Sequence, residues 1–344
     1  MVYKRKSQVM MPLCILAVML IFPVHLFAQE AAKTVEHEAG FYYTVQKGDT
    51  LWDLSTQFSD NPWLWPNLWS ENSQISNPHW IYPGERIRLF HVKGVDTFIK
   101  KNVEENQPQE PEATRETLYY YYSPINSIGF IKKQAITPQG TIFKVKEDKQ
   151  LVSVGDLVYI RPNVDYSLQP GTKYTVYRTL KPIVDKKTKE LIGIQHYLTG
   201  VVVITKKEPG FFVARVVNSF RSIAVNDLLM PYKKRSPRIV LTQSKDGLSG
   251  SIIGSEEREK NIGDHTVAFI DKGGQDGVAI GQSYSIYYQE KEKLDKKSRG
   301  NVLLTPVVHG ALIVLHTEPA TSTVLITRSD QSIHPGNKIC SPIE

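Results

Sequence analysis

Cysteine is nearly absent from this chain. Its 344 residues hold two, Cys14 and Cys340, too few for a disulfide framework or a thiolate zinc site. A long apolar run is missing too. The stretch Val9 to Phe22 covers 14 residues without a charge, short of the ~18–20 that cross a bilayer as a helix. A strong basic face is also lacking. The formal net charge is +7, but Lys4, Arg5 and Lys6 lie in the first 28 positions, which contain no acid. The remainder sets 39 basic side chains against 35 acidic ones. Nucleic-acid binding needs a concentrated basic patch, and this small, scattered excess predicts no nucleic-acid partner. Apolar material is plentiful by contrast. Hydrophobic residues make up 41% and charged residues 22%, which excludes wholesale disorder. The length suits about two domains.

The start of the chain reads as an address. Lys4-Arg5-Lys6, the apolar run, Pro23 and Leu26-Phe27-Ala28 have the layout of a secretory signal peptide over 1–28, with small Ala28 at the cleavage position. An uncleaved membrane anchor is the alternative. Met11-Pro12-Leu13 before Cys14 lacks the small residues of a lipoprotein site. The expected destination is the periplasm or cell wall, where the processed chain keeps only Cys340.

Residues 29–40 read as a polar linker and 91–117 as an acidic flexible spacer. The stretch 101–117 holds five Glu, two Pro and almost nothing apolar, so it cannot bury a core. From Leu118 the chain turns to β-branched and aromatic runs punctuated by Gly, Asn and Pro. This half aligns on itself at an offset of 110. From Gly171 to Ile223 there is no gap, and 13 of 53 positions are identical. Glu208-Pro209 meets Glu318-Pro319, and Gly200 meets Gly310. The offset predicts two copies, 118–235 and 236–344. TKYTVY (172–177) and QSYSIY (282–287) alternate at period two, as half-buried strands do. Val154-Gly155-Asp156, Pro170-Gly171-Thr172, Val225-Asn226-Asp227, Ile280-Gly281-Gln282 and Pro335-Gly336-Asn337 supply the positive φ of tight turns. The expected fold is all-β, two small barrel- or sandwich-like repeats.

All five tryptophans fall between Trp52 and Trp80. FYYTVQ (41–46) reads as a strand, Lys47-Gly48-Asp49 as a turn, and Asp49 or Thr50 as a helix cap. Leu51, Leu54, Ser55 and Phe58 share one face of a helix over 51–59. Trp65, Leu68, Trp69 and Asn72 repeat that spacing, with Pro66 near the first turn. Pro83-Gly84 turns into ERIRLF (85–90), with Ile87 and Leu89 inward. The order is strand, helix, helix, strand.

YTVQKGDTLWDLSTQF (43–58) and IYPGERIRL (81–89) resemble the opening and close of a LysM domain, the βααβ module that binds N-acetylglucosamine-containing glycans such as peptidoglycan. The whole fold is then an α+β LysM module over 41–90 followed by the all-β repeats. The arrangement also resembles bacterial cell-envelope proteins that carry LysM modules. Two departures stand out: WLWPNLW in the second helix, and a longer, aromatic-rich ENSQISNPHWIYPG before the last strand. The resemblance implies a groove formed by Gly48, Asp49, Thr50 and Leu51 on one side, and by Asn77, Pro78, Trp80 and Ile81 on the other. Trp52, Trp65 and Trp69 are expected in the core. Trp80 is open between core and ligand contact, and Asp49 between helix cap and ligand contact.

The β-rich half offers little chemistry. Cys340 falls in a candidate strand. His265, His309, His316 and His334 are isolated and expected at the surface or in turns, so no metal site is expected. Asp271–Gly277 is glycine-rich but lacks the Gly-Lys-Ser/Thr ending of a phosphate loop. Asp185-Lys186-Lys187 and Asp295-Lys296-Lys297 read as hairpin tips. The expected function is a non-enzymatic, cofactor-free peptidoglycan-binding envelope protein, with the β-rich half as scaffold or as surface for an unidentified envelope protein. The alternative is a cell-wall hydrolase with an unfamiliar catalytic fold. The module over 41–90 is expected to bind its glycan alone.

Overall fold

The computed structural model describes residues 39–59, 61–89, 118–185, 188–293 and 302–342. The expected signal peptide with Cys14, nearly all of the linker, the spacer, and positions 186–187 and 295–297 of the hairpin tips lie outside the described residues. No described helix is long and apolar enough to cross a membrane.

The first described elements are β1 (Gly40–Thr44), α1 (Leu51–Ser59), a 3-10 turn (Pro62–Leu64), α2 (Trp65–Ser70) and β2 (Arg86–Leu89). α1 buries the anticipated face, Leu51, Leu54, Ser55 and Phe58. Pro66 sits in the first turn of α2, where its missing N–H breaks no helical bond. β1 and β2 are antiparallel, with Phe41 opposite Leu89 and Tyr43 opposite Ile87.

The sheet does not stop at those two strands. β3 (Leu118–Tyr121) pairs antiparallel with β1, and Arg238–Val240, which is β12 in chain order, pairs with β3. The sheet order is β12-β3-β1-β2. Phe41 meets Tyr120 edge-on at 4.8 Å, and Tyr42 stacks on Tyr119 at 5.6 Å. The apolar cluster beneath joins Leu54, Phe58, Leu68 and Ile87 to Leu118, Tyr120, Ile125 and Ile239. It reaches Ile313, Leu315 and Leu325 farther along the chain. Burial of this kind contributes roughly 25 cal/mol per Å² of apolar surface. The module over 41–90 therefore shares its sheet and its core with residues beyond Leu118.

The β-rich half begins with β4 (Phe130–Lys132), β5 (Gly140–Val145), β6 (Leu157–Pro162), β7 (Lys173–Thr179), β8 (Ile183–Val184), β9 (Leu191–Glu208), β10 (Phe211–Ser219) and β11 (Leu228–Pro231). The path β10-β6-β5-β11-β7-β9 closes through β9–β10 pairing. β4 and β8 attach to β9. The second set is β13 (Ser249–Ser255), β14 (Val267–Ile270), β15 (Ser283–Tyr288), β16 (Lys291–Glu292), β17 (Val302–Leu303), β18 (Val307–Thr317), β19 (Ser322–Ser329) and β20 (Lys338–Cys340). Six of these form a closed barrel, β13-β14-β19-β18-β15-β20, while β16 pairs with β17.

The offset of 110 carries one ring onto the other pair by pair. Phe212–Ile160 becomes Ser322–Ile270, and Arg215–Leu157 becomes Leu325–Val267. The bulges shift equally: the break between Val176 and Tyr177 against β9 recurs between Ile286 and Tyr287 against β18. A bulge bends a strand and sharpens its twist, which closes so small a ring. Ile142, Val176, Val202 and Leu229 fill the first core, and Ile252, Ile286, Leu312 and Ile339 the second. Gly200 and Gly310 hold equivalent crowded positions. An added Cβ would stand 2.5 Å from the Asn218 carbonyl oxygen at the first and 2.8 Å from that of Arg328 at the second.

Period two holds in β15, where Tyr284 and Ile286 are buried and their neighbours are not. In β7 it fails, since Tyr174, Thr175, Val176 and Tyr177 are all buried. The outward Tyr177 packs against Phe130 of β4, Leu198 and Met230, so both faces of the strand are covered.

Candidate functional site

The residues between β1 and α1 form a braced turn. Gly48 has φ of +98°, a conformation glycine adopts without steric cost. The Asp49 carboxylate accepts from the Gln46 N–H at 2.7 Å and from the Tyr43 hydroxyl at 2.8 Å. Burial, and then that hydrogen bond, push the Tyr43 phenol far above its ordinary range. The Thr50 hydroxyl accepts from the Asp53 N–H at 3.1 Å and donates to the Asp53 carboxylate at 2.7 Å. It caps α1 and satisfies a donor the helix leaves open. Leu51 is buried in the core beside Leu54.

The opposing loop runs from α2 to β2. The Asn77 side chain accepts from the His79 N–H, and its carbonyl accepts from the Trp80 N–H. Pro78 is half-buried in this turn. Trp80 is 66% exposed and Tyr82 58% exposed, while Ile81 packs on the core. The two loops emerge together at one end of the sheet. The Val45 N–H donates to the Glu85 carbonyl at 2.8 Å, and the Gly84 N–H to the Val45 carbonyl at 2.9 Å. Below them Asn72 ties α2 to β2. Its amide donates to the Leu68 and Arg88 carbonyls and accepts from the Arg88 N–H.

The eight anticipated residues thus divide. Gly48, Asp49 and Thr50 shape the first loop, and Asn77, Pro78 and Trp80 the second. Leu51 and Ile81 support the loops from beneath. Trp52 departs from the expected core position: it is 40% exposed and meets Trp63 edge-on at 4.9 Å. The helical period explains this, because Trp52 lies one residue off the face that Leu51, Leu54 and Phe58 share. Trp65 and Trp69 are half-buried against the core, and the Trp69 indole donates to the Ile75 carbonyl at 2.7 Å.

Titratable groups elsewhere cluster between the rings. The Glu256 carboxylate accepts from the Gly129 N–H at 2.6 Å and pairs with Arg221 at 3.2 Å. Burial raises its pKa, against the pull of Arg221. His316 pairs with Glu318 at 3.0 Å, and Lys132 reaches the same carboxylate at 3.4 Å. His309 is buried and His316 half-buried, so the expectation of surface or turn positions fails for both. Strand β18 carries them into the barrel wall. Among the described residues no group of His, Cys, Asp or Glu is arranged to hold a metal ion. Cys340 is half-buried in β20, and burial pushes its thiol up.

The family model for the LysM domain matches residues 43–90, a span that runs from the end of β1 past β2 and takes in the two loops described above. No curated protein matches the chain. The chain carries a LysM domain and, after it, an all-β region that includes a closed six-stranded barrel.

Proposed function

We propose that this LysM domain binds an N-acetylglucosamine-containing glycan of the peptidoglycan type, and that the rest of the chain is a non-enzymatic scaffold in the bacterial cell envelope. The observation that carries the reading is the pairing of the Gly48-Asp49 turn with the Asn77–Tyr82 loop at one end of the sheet. Backbone groups at such a turn suit an acetamido substituent, and the aromatic loop suits a sugar face. A shallow site of this kind gains affinity from several sugars at once. The scaffold reading is supported by the two rings. They share strand order, bulges and core positions at one offset, as expected of an internal duplication that preserves packing. Their surface then serves an envelope partner, and the first 28 residues direct export.

The test uses the full mature chain, since β3 and β12 complete the LysM sheet. It should sediment with insoluble peptidoglycan, and a chitin tetramer should compete it off. A chain that stays in the supernatant overturns the glycan reading. Zymography on purified sacculi addresses the rival hydrolase, and a cleared band would overturn the non-enzymatic part.

A further inference from the structure

We propose that Trp52 and Trp63 form a second sugar-stacking surface outside the loop groove, taking pyranose rings of a glycan that extends beyond it. The proposal rests on the glycan reading of the LysM domain. The two indoles are 40% and 74% exposed and lie edge to face, 76° apart. Neither belongs to the buried core, so packing does not account for two large aromatic rings left in water. Both are held in place. Trp52 stands on the first turn of α1, which Thr50 caps. Trp63 stands on the 3-10 turn, where the Asn61 side chain accepts from its N–H at 3.0 Å. The Ser55 hydroxyl fixes the Asn61 carbonyl at 2.9 Å. A rigid aromatic platform loses little entropy when a ligand lands on it.

The surroundings select the occupant. From Gly48 to Gly84 the sequence contains no Lys or Arg, while Asp49, Asp53, Asp60 and Glu71 are acidic. Anionic lipid and nucleic acid are attracted by basic clusters, which this stretch lacks. Its exposed large apolar side chains are all aromatic, whereas those of the β-rich half are mostly aliphatic. The negative face of an aromatic ring complements the C–H groups that line one face of a neutral pyranose. Exposed Thr56, Gln57 and Asn61 stand near in sequence to meet hydroxyl groups. The platform residues are also close in sequence to the elements that carry the groove. Trp52 directly follows Leu51, and Trp65, two residues after Trp63, lies 6.5 Å from His79 of the second loop.

Calorimetric titration of the full chain with the trimer and hexamer of N-acetylglucosamine tests this. Wild type should bind the hexamer about tenfold or more tightly than the trimer. Trp63→Ala should erase most of that gain and leave trimer affinity and the melting temperature unchanged. Trp63→Tyr should restore the gain. A Trp63→Ala protein that keeps the hexamer preference overturns the second surface and leaves the groove intact. Equal loss of both oligomers places Trp63 in the groove and overturns it too. Loss of vesicle binding in Trp63→Ala would reassign the platform to lipid. Failure of wild type to bind either oligomer sinks the groove reading itself.

Discussion

The polar side chains at the groove are engaged in holding their own loop. Asp49 spends both bonds on Gln46 and Tyr43, and Thr50 spends its hydroxyl on Asp53. Both Asp49 bonds fall on Oδ2 and the Thr50 proton is committed to Asp53, so a glycan contact from this turn draws on backbone groups and the Asp49 Oδ1. Thr50→Ala removes an N-cap and should cost about 1 kcal/mol of stability. Urea unfolding of the full chain should show a lower midpoint with an unchanged slope, and trimer affinity should stay near wild type. A large affinity loss in a variant of normal stability would show that the hydroxyl touches the sugar. Local pattern made this end of the molecule readable. Leu51, Leu54, Ser55 and Phe58 announced α1, and Gly48, Gly155, Gly171, Asn226, Gly281 and Gly336 all take the positive φ their turns implied. Asn72 was not readable. Its spacing marked a helix face, but its bonds go to Arg88 across 16 residues of chain.

Elements that pair over long distances are where sequence pattern ran out. LYYY at 118–121 reads as a strand, yet nothing in it names β1 as its partner across the acidic spacer. β4 is a similar case, three residues that cover the outer face of the first ring. Its loop meets β9 at His196, whose surroundings fix its charge. The Ile136 N–H donates to Nε2 at 3.1 Å, so that nitrogen must be bare, and Nδ1 lies 3.1 Å from the Ile194 carbonyl as donor. The ring also stacks on Phe130 at 4.9 Å. Burial lowers its pKa below 6.5, with Lys132 adding to the effect and the Ile194 carbonyl and Glu318 opposing it. A depressed imidazole pKa means the unfolded chain binds the proton more readily. The stabilisation is complete above pH 6.5 and is lost as pH falls through the folded value. His196→Ala should lower stability at neutral pH and flatten its decline below pH 6.5. An unchanged slope in denaturant melts across that range would remove His196 from the account.

At the scale of the molecule, polar bonds and ion pairs join the two rings. The Gln195 amide donates to the Glu256 carbonyl, and the Thr321 and Thr323 hydroxyls donate to the Ile131 and Gly129 carbonyls. Arg221 is central. It pairs with Glu256 and Glu257, donates to the Ser127 and Leu198 carbonyls, and lies 4.3 Å over the Tyr197 ring. The sequence shows Arg221 and Glu256-Glu257 as ordinary charges 35 residues apart, because only folding puts them face to face. Arg221→Ala would leave the Glu256 carboxylate buried, with the Gly129 N–H still donating to it. Removing one partner of a buried pair typically costs about 3–5 kcal/mol. The deficit should depend on pH in a definite direction. Burial already raises the Glu256 pKa, and loss of the guanidinium raises it further. A carboxyl whose folded pKa lies above its unfolded value favours folding while protonated, and that advantage disappears as pH rises through the folded pKa. Arg221→Ala should therefore be hurt least near pH 5 and most near pH 8. Adding Glu256→Gln removes the buried charge but keeps an oxygen for Gly129. The double variant should recover part of the loss near pH 8 and little near pH 5, as read by urea midpoints at the two pH values. If Arg221→Ala melts like wild type at both, the Arg221 ion pairs contribute nothing to holding the two rings together.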